Sequence, residues 1–182
     1  MPSTTKPRAV VDVLADGTFR IFVSGVGTSG SLMQDMADVS NMAYFLNNFG
    51  TTNTKSPTLN AIIGFLYDNK AAPSNVFAYG HSLGTEEVAA LVQLGWVRAG
   101  FAFAPPYFLS AQALTSPPWA TLYKYSGNND LISNDLLFST NDYRAGVLDH
   151  FYTGDTGNNT LTNPFNAHNR DTYFSTFGLG PW

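Results

Sequence analysis

The residues best suited to chemistry form one short run, Gly80-His81-Ser82-Leu83-Gly84. A serine hydroxyl is a weak nucleophile until a base takes its proton and the backbone presents it in the open. Glycines on both sides permit a sharp strand-to-helix turn with the serine at its strained tip, the G-x-S-x-G pattern. Five-residue patterns recur by chance, so the surroundings decide. Here a short apolar run, Val76-Phe77-Ala78-Tyr79, precedes the pattern and a helical stretch over residues 85–94 follows it. The competing reading is an ordinary glycine-rich strand-to-helix turn. Within this run the nucleotide-binding spacing G-x-G-x-x-G is not met.

A serine nucleophile of this kind needs a carboxylate and then a histidine further along the chain. Asp130 closes Ser126-Gly127-Asn128-Asn129-Asp130, just past a β-rich run at 121–125. Three histidines compete for the base. His81 adjoins Ser82 and its side chain should point away, so its role reads as structural. His150 lies between apolar residues in Leu148-Asp149-His150-Phe151 and reads as a packed or surface histidine. His168, in the polar run Asn166-Ala167-His168-Asn169-Arg170, is the favoured base. Ser82, Asp130 and His168 together would carry out acyl transfer, Asp130 orienting His168 and stabilising its imidazolium.

The oxyanion of such a reaction takes one backbone N–H from the residue after the nucleophile, Leu83. A second comes from the loop after the first parallel strand, Ser24-Gly25-Val26-Gly27, where Val26 is the first choice and Gly27 the second. A glycine-rich connection without chemistry is the alternative there. A phosphate cradle is disfavoured because no P-loop lysine follows. Pro105-Pro106-Tyr107-Phe108-Leu109 sits just past a later strand, and Pro106, Tyr107 and Phe108 are expected to line an acyl pocket, with Trp119 contributing. Plain core packing competes for each residue singly. Residues 105–118 are too few for a large lid, so an open site is expected.

These groups need a scaffold. Runs at 9–14 and 18–23 are β-rich and meet through Asp16-Gly17, a hairpin signal. Leu32, Met36, Val39, Ala43 and Leu46 share one helical face. Ser56 and Pro57 read as N-cap and first residue of a helix whose stripe is Leu59, Ile62, Ile63 and Leu66. Residues 76–79, 97–104 and 121–125 read as strands, the last clear one being 121–125. This alternation predicts an α/β fold with a mostly parallel sheet and an N-terminal hairpin. Ligands of such sheets bind at the carboxyl ends of the strands, where every group above is expected.

On Gly-His-Ser-Leu-Gly, the Gly-x-x-Asp loop after a late strand, and His168 followed by Tyr173, the chain resembles lipase-type α/β-hydrolases. It is most similar to class three lipase relatives and next to cutinases. The resemblance implies a three-layer α/β-hydrolase-like domain over residues 1–182 with a minimal lid or none. It also implies a serine esterase or lipase acting on short or medium acyl chains or on a polymeric ester, with lipid among the substrates. A thioesterase or acyltransferase would share the triad, and a non-catalytic structural or binding subunit on the same scaffold is the reading from another class. The sequence departs from these lipases after the elbow, where a small residue is usual and Thr85 stands instead. Glu86 and Glu87 follow and read as capping residues at the helix N-terminus.

Composition narrows the remaining options. The chain has 182 residues, 44% of them hydrophobic and 14% aromatic, which suits one globular domain. Only 12% are charged, so neutral polar groups solvate the surface, which leans towards a secreted, virion or cell-surface setting. The net charge of −4 and the lack of a basic stripe argue against nucleic acid as a partner. Without cysteine there is no disulfide, thiolate nucleophile or cysteine-based zinc site. The expected chemistry calls for no metal or organic cofactor. Asp12 and Asp16 interrupt the apolar stretch after Lys6 and Arg8, a poor signal peptide. No apolar run reaches the length of a transmembrane helix.

Overall fold

Alternation of side chains builds the first two strands. Phe19, Ile21 and Val23 are buried while Arg20 and Phe22 face the other side, giving β2 (Phe19–Val23). It pairs antiparallel with β1 (Ala9–Val13), from Ala9 opposite Val23 to Val13 opposite Phe19. The connecting turn uses the expected residues. Gly17 takes φ +81°, the Thr18 N–H donates to Asp16 Oδ1 at 2.9 Å, and the Leu14 N–H donates to the Thr18 carbonyl at 2.8 Å. The Thr18 amide, then its hydroxyl, hold the Asp16 carboxyl below its ordinary range. The structure, a computed structural model, describes residues 9–24, 57–82, 84–104, 117–127 and 149–154. The helical stretch expected over residues 32–46 lies outside them.

Four more strands extend the sheet: β3 (Val76–His81), β4 (Ala99–Phe103), β5 (Thr121–Gly127) and β6 (Asp149–Gly154). Their spatial order is their chain order, β1-β2-β3-β4-β5-β6. Every pair from β2 to β6 is parallel. The expected α/β architecture with a hairpin at its edge is present. The strand β6 was not anticipated, because Asp149 and His150 break the apolar run that would announce it.

Among the described residues, two α-helices cover one face. The first, α1 (Pro57–Asp68), starts on the expected proline and buries Leu59, Ile62 and Leu66. The second, α2 (Gly84–Gln93), is buried at every residue from Gly84 to Val92. Their side chains join Ile21, Val23, Ala78, Ala102 and Leu122 in one core. Fully burying each valine, leucine or isoleucine among them contributes about 1.5–3 kcal/mol. Close approach of α2 depends on Gly100 in β4, where a Cβ would fall 2.7 Å from both Val88 Cγ1 and Val92 Cγ2. The opposite face carries a row of aromatic rings in register. Phe22, Tyr79, Phe101 and Tyr123 stack with centroids 5.2, 4.9 and 5.1 Å apart, close to the spacing of the strands themselves.

Both helices end in the same hydrogen-bond motif. Lys70 (φ +51°) follows α1, with its own N–H on the Tyr67 carbonyl and the Ala71 N–H on the Leu66 carbonyl. Gly95 (φ +73°) follows α2, with the Gly95 and Trp96 N–H groups on the Val92 and Leu91 carbonyls. This Schellman closure needs a left-handed residue, which glycine adopts freely and lysine does not. Each helix thereby returns the chain to the amino end of the next strand.

Candidate active site

A tight elbow joins β3 to α2. β3 ends at His81, Ser82 takes φ +53°, and α2 begins at Gly84. A left-handed serine costs roughly 1–2 kcal/mol, and such strain gathers where function needs it. Its neighbours hold it. The Ser82 N–H donates to the Phe103 carbonyl of β4 at 2.9 Å, and the Ser82 carbonyl accepts the Thr85 N–H at 3.0 Å. The same carbonyl accepts the Thr85 hydroxyl at 2.6 Å. Thr85 is therefore a hydrogen-bonding cap on the elbow. A threonine three residues past Ser82, able to bond back to its carbonyl, is the sequence signal for that role.

The two glycines have separate reasons. A Cβ on Gly80 would meet the carbonyl oxygen of Gly84 at 2.6 Å and the Thr85 Cα at 2.9 Å. A Cβ on Gly84 would strike the carbonyl oxygen of Val23 and lie 2.9 Å from the carbonyl carbon of Ser24. Gly80 thus lets α2 lie on β3, and Gly84 lets it lie on the end of β2. The positive end of the α2 dipole is brought to the elbow as a result.

Asp130, His168, Leu83, Val26 with its alternative Gly27, Pro106, Tyr107 and Phe108 lie outside the described residues. The strand ends that lead to several of them are described. β2 stops at Val23, β4 at Phe103 and β5 at Gly127. These strands run parallel to β3, so all three end on the sheet edge that carries Ser82.

His150 stands within β6, its Cα opposite Tyr123. Tyr123 is level with Phe101 and Tyr79, three residues below Ser82. With strands about 4.8 Å apart and a rise of about 3.3 Å per residue, the Cα of His150 is roughly 17 Å from that of Ser82. That exceeds the combined reach of a histidine and a serine side chain.

One expectation is corrected. Trp119 stands two residues before β5, at the amino end of the strands, 60% exposed. Its ring is the neighbour that a Cβ on Gly95 would meet at 3.4 Å, just ahead of β4. It is at the opposite edge of the sheet from Ser82 and cannot line an acyl pocket there. Glu86 and Glu87, read as capping residues, do stand in the first turn of α2, but they are buried there at 0% exposure, as is Thr85. That helix is covered on all sides.

Below the elbow, Tyr79 is half-buried in the aromatic row. Burial raises the pKa of its hydroxyl above the ordinary tyrosine value, and the positive charge of Arg20 offsets part of the rise.

No protein-family model matches the sequence, and no curated protein matches it. Solved structures do. The Lip2 lipase from Yarrowia lipolytica superposes with a TM-score of 0.52 at 15% identity, covering 96% of this chain and 77% of the lipase. An esterase of the bacterial hormone-sensitive lipase family gives 0.47 at 14% identity, over 96% of this chain and 83% of the other. The Pyrococcus furiosus esterase Pf2001 gives 0.45 at 14% identity, over 92% and 91%. The chain has an α/β-hydrolase fold.

Proposed function

We propose that this protein is a serine hydrolase that cleaves carboxylic esters through an acyl-enzyme on Ser82, with Asp130 and His168 completing the triad. The observation that carries the reading is the backbone of Ser82. A non-glycine residue at φ +53° stands at the carboxyl edge of a parallel sheet, between two glycines whose missing side chains the fold requires. Such strain is spent where a hydroxyl must be presented to a substrate.

In the first step His168 takes the hydroxyl proton as the Ser82 oxygen attacks the ester carbonyl. The N–H groups of Leu83 and Val26 hold the oxyanion, each donor contributing about 2.7–4 kcal/mol in the transition state. The tetrahedral intermediate collapses, the alcohol leaves with the proton from His168, and Ser82 stays acylated. His168 then takes a proton from water, which attacks the acyl-enzyme. The acid departs and Ser82 regains its proton. Asp130 keeps the imidazole oriented and offsets its transient charge. Pro106, Tyr107 and Phe108 form the acyl wall, suited to short or medium chains or to a polymeric ester.

A fluorophosphonate probe tests this directly. Intact protein should gain one phosphonyl group on Ser82, and Ser82→Ala should gain none. On p-nitrophenyl esters the same substitution should lower kcat by about 10⁴–10⁶. Wild-type protein that takes no label and cleaves none of these esters would refute the reading.

A further inference from the structure

Ser82 is not alone in its strain. Ala104 also has a positive φ, +52°, and it sits one residue past the His81–Phe103 pair that ends the β3–β4 register. The two left-handed residues are thus level with each other on adjacent parallel strands. Ala104 is 0% exposed and forms a core cluster with Phe103, against which Tyr79, Phe101 and Tyr125 pack. Its conformation is doubly unfavourable, because it lacks the freedom of glycine and precedes Pro105, which pushes its neighbour towards extended backbone.

One peptide unit explains what this strain holds. The carbonyl of Phe103 accepts the Ser82 N–H at 2.9 Å, and the N–H of Ala104 donates to the Tyr125 carbonyl at 2.9 Å. Those two groups belong to the same peptide plane. A single rigid unit therefore ties the nucleophile to β5, the strand that leads to Asp130. The φ angle of Ala104 is the rotation about the bond by which the chain leaves that plane. The chain order of the strands adds a second reason. An open α/β sheet usually opens its ligand crevice where strand order reverses, and among the described strands there is no reversal. Had β4 continued straight, it would have risen about 3.3 Å per residue beside the nucleophile. The turn at Ala104 stops it level with Ser82.

We propose that Ala104 is a positioning residue, a second elbow that ends β4 at the height of the nucleophile and locks the peptide tying Ser82 to β5. The proposal rests on the hydrolase reading for its kinetic consequence but not for its geometry. Glycine accepts the same φ while widening the accessible range, so Ala104→Gly tests the lock without forcing a clash. Tm should stay within about 4 °C of wild type. Labelling of Ser82 by the fluorophosphonate should slow roughly three- to tenfold, with kcat on p-nitrophenyl esters falling in step and KM unchanged. Amide hydrogen exchange at Ser82 and Ala104 should accelerate. Faster exchange with wild-type kcat would overturn the proposal, as would a kcat loss that only tracks a lowered Tm. If wild-type protein takes no label, it is the hydrolase reading that fails. Exchange at the Ser82 amide then decides alone, acceleration supporting the tie and no change refuting it.

Discussion

Gly80→Ala and Gly64→Ala make the same chemical change and should move stability in opposite directions. Gly80 lies in β3 under the start of α2. The added methyl would fall 2.6 Å from the Gly84 carbonyl oxygen, 2.8 Å from its carbon and 2.9 Å from the Thr85 Cα. Carbon contacts are comfortable near 3.5–4.0 Å, so the first turn of α2 must lift by something approaching 1 Å. It cannot lift freely, because Gly84 to Val92 are all buried and outward motion displaces whatever covers them. Lifting also pulls Val88 and Val92 from the recess that Gly100 leaves. Overpacking of this kind costs about 1–3 kcal/mol, and contact with backbone on every side puts Gly80→Ala at the upper end. Gly64, exposed within α1, has nothing within 4 Å of a Cβ. There alanine gains helix propensity, about 0.5–1 kcal/mol. Urea unfolding followed by tryptophan fluorescence should separate the two variants by roughly 3–4 kcal/mol. Under conditions where Gly80→Ala stays folded, its Ser82 should still label more slowly than wild type, since the elbow itself has been moved. A Gly80→Ala protein with the wild-type urea midpoint and labelling rate would refute the reasoning, and so would a Gly64→Ala protein as unstable as Gly80→Ala.

Three other measurements probe separate parts of the molecule. Lys70 pays the left-handed penalty at the close of α1, so Lys70→Gly should raise stability by about 0.5–1 kcal/mol, read from the urea midpoint. Because the Tyr79 hydroxyl binds its proton more tightly in the folded protein than in the unfolded chain, the stability this confers is complete below the ordinary tyrosine pKa. It is lost as pH climbs through the folded value. Urea midpoints taken upward from pH 9 should fall more steeply for wild type than for Tyr79→Phe, and identical slopes would contradict the assignment. His150→Ala should keep most ester hydrolysis while His168→Ala loses it, and the reverse result would transfer the base to β6.

Much of the scaffold was legible because its periods are strong. Phe19, Ile21 and Val23 alternate cleanly, Asp16-Gly17 has the turn chemistry of a hairpin, and Leu59, Ile62 and Leu66 repeat at helical spacing behind a proline. The turn at Ser82 was legible because its glycines leave a mark in sequence that backbone crowding later explains. Other features had weaker marks. β6 is held by pairing with β5 from Leu122–Asp149 to Gly127–Gly154, and its residues DHFYTG carry no alternation of their own. Tertiary pairing overrode local propensity there. Trp119 was assigned by its apolar character and nearness in sequence to Pro106. Its end of the strand, set by where β5 begins, decides otherwise. Ala104 had no mark at all, because alanine before proline predicts extended backbone, whereas its φ is +52°.

Thr85-Glu86-Glu87 shows what a sound local rule leaves out. Acidic residues in a first helical turn do complement the dipole, and on a surface helix they face solvent. α2 is not a surface helix. Val88-Ala89-Ala90-Leu91-Val92 is apolar on every side, the pattern of a helix buried all round, and its burial from Gly84 to Val92 follows. Burying a carboxylate costs several kcal/mol unless neighbours compensate. The start of a helix is where that cost is least, because its first N–H groups lack intrahelical partners and carry the positive end of the dipole. The same partial charge lies beside Ser82. Thr85 fixes the backbone of the elbow through the Ser82 carbonyl, while Glu86 and Glu87 stand in the same helix-dipole field as Ser82. The residues after the glycine are thus part of the elbow's construction, and the departure from the usual small residue becomes a hydrogen bond instead of a loss.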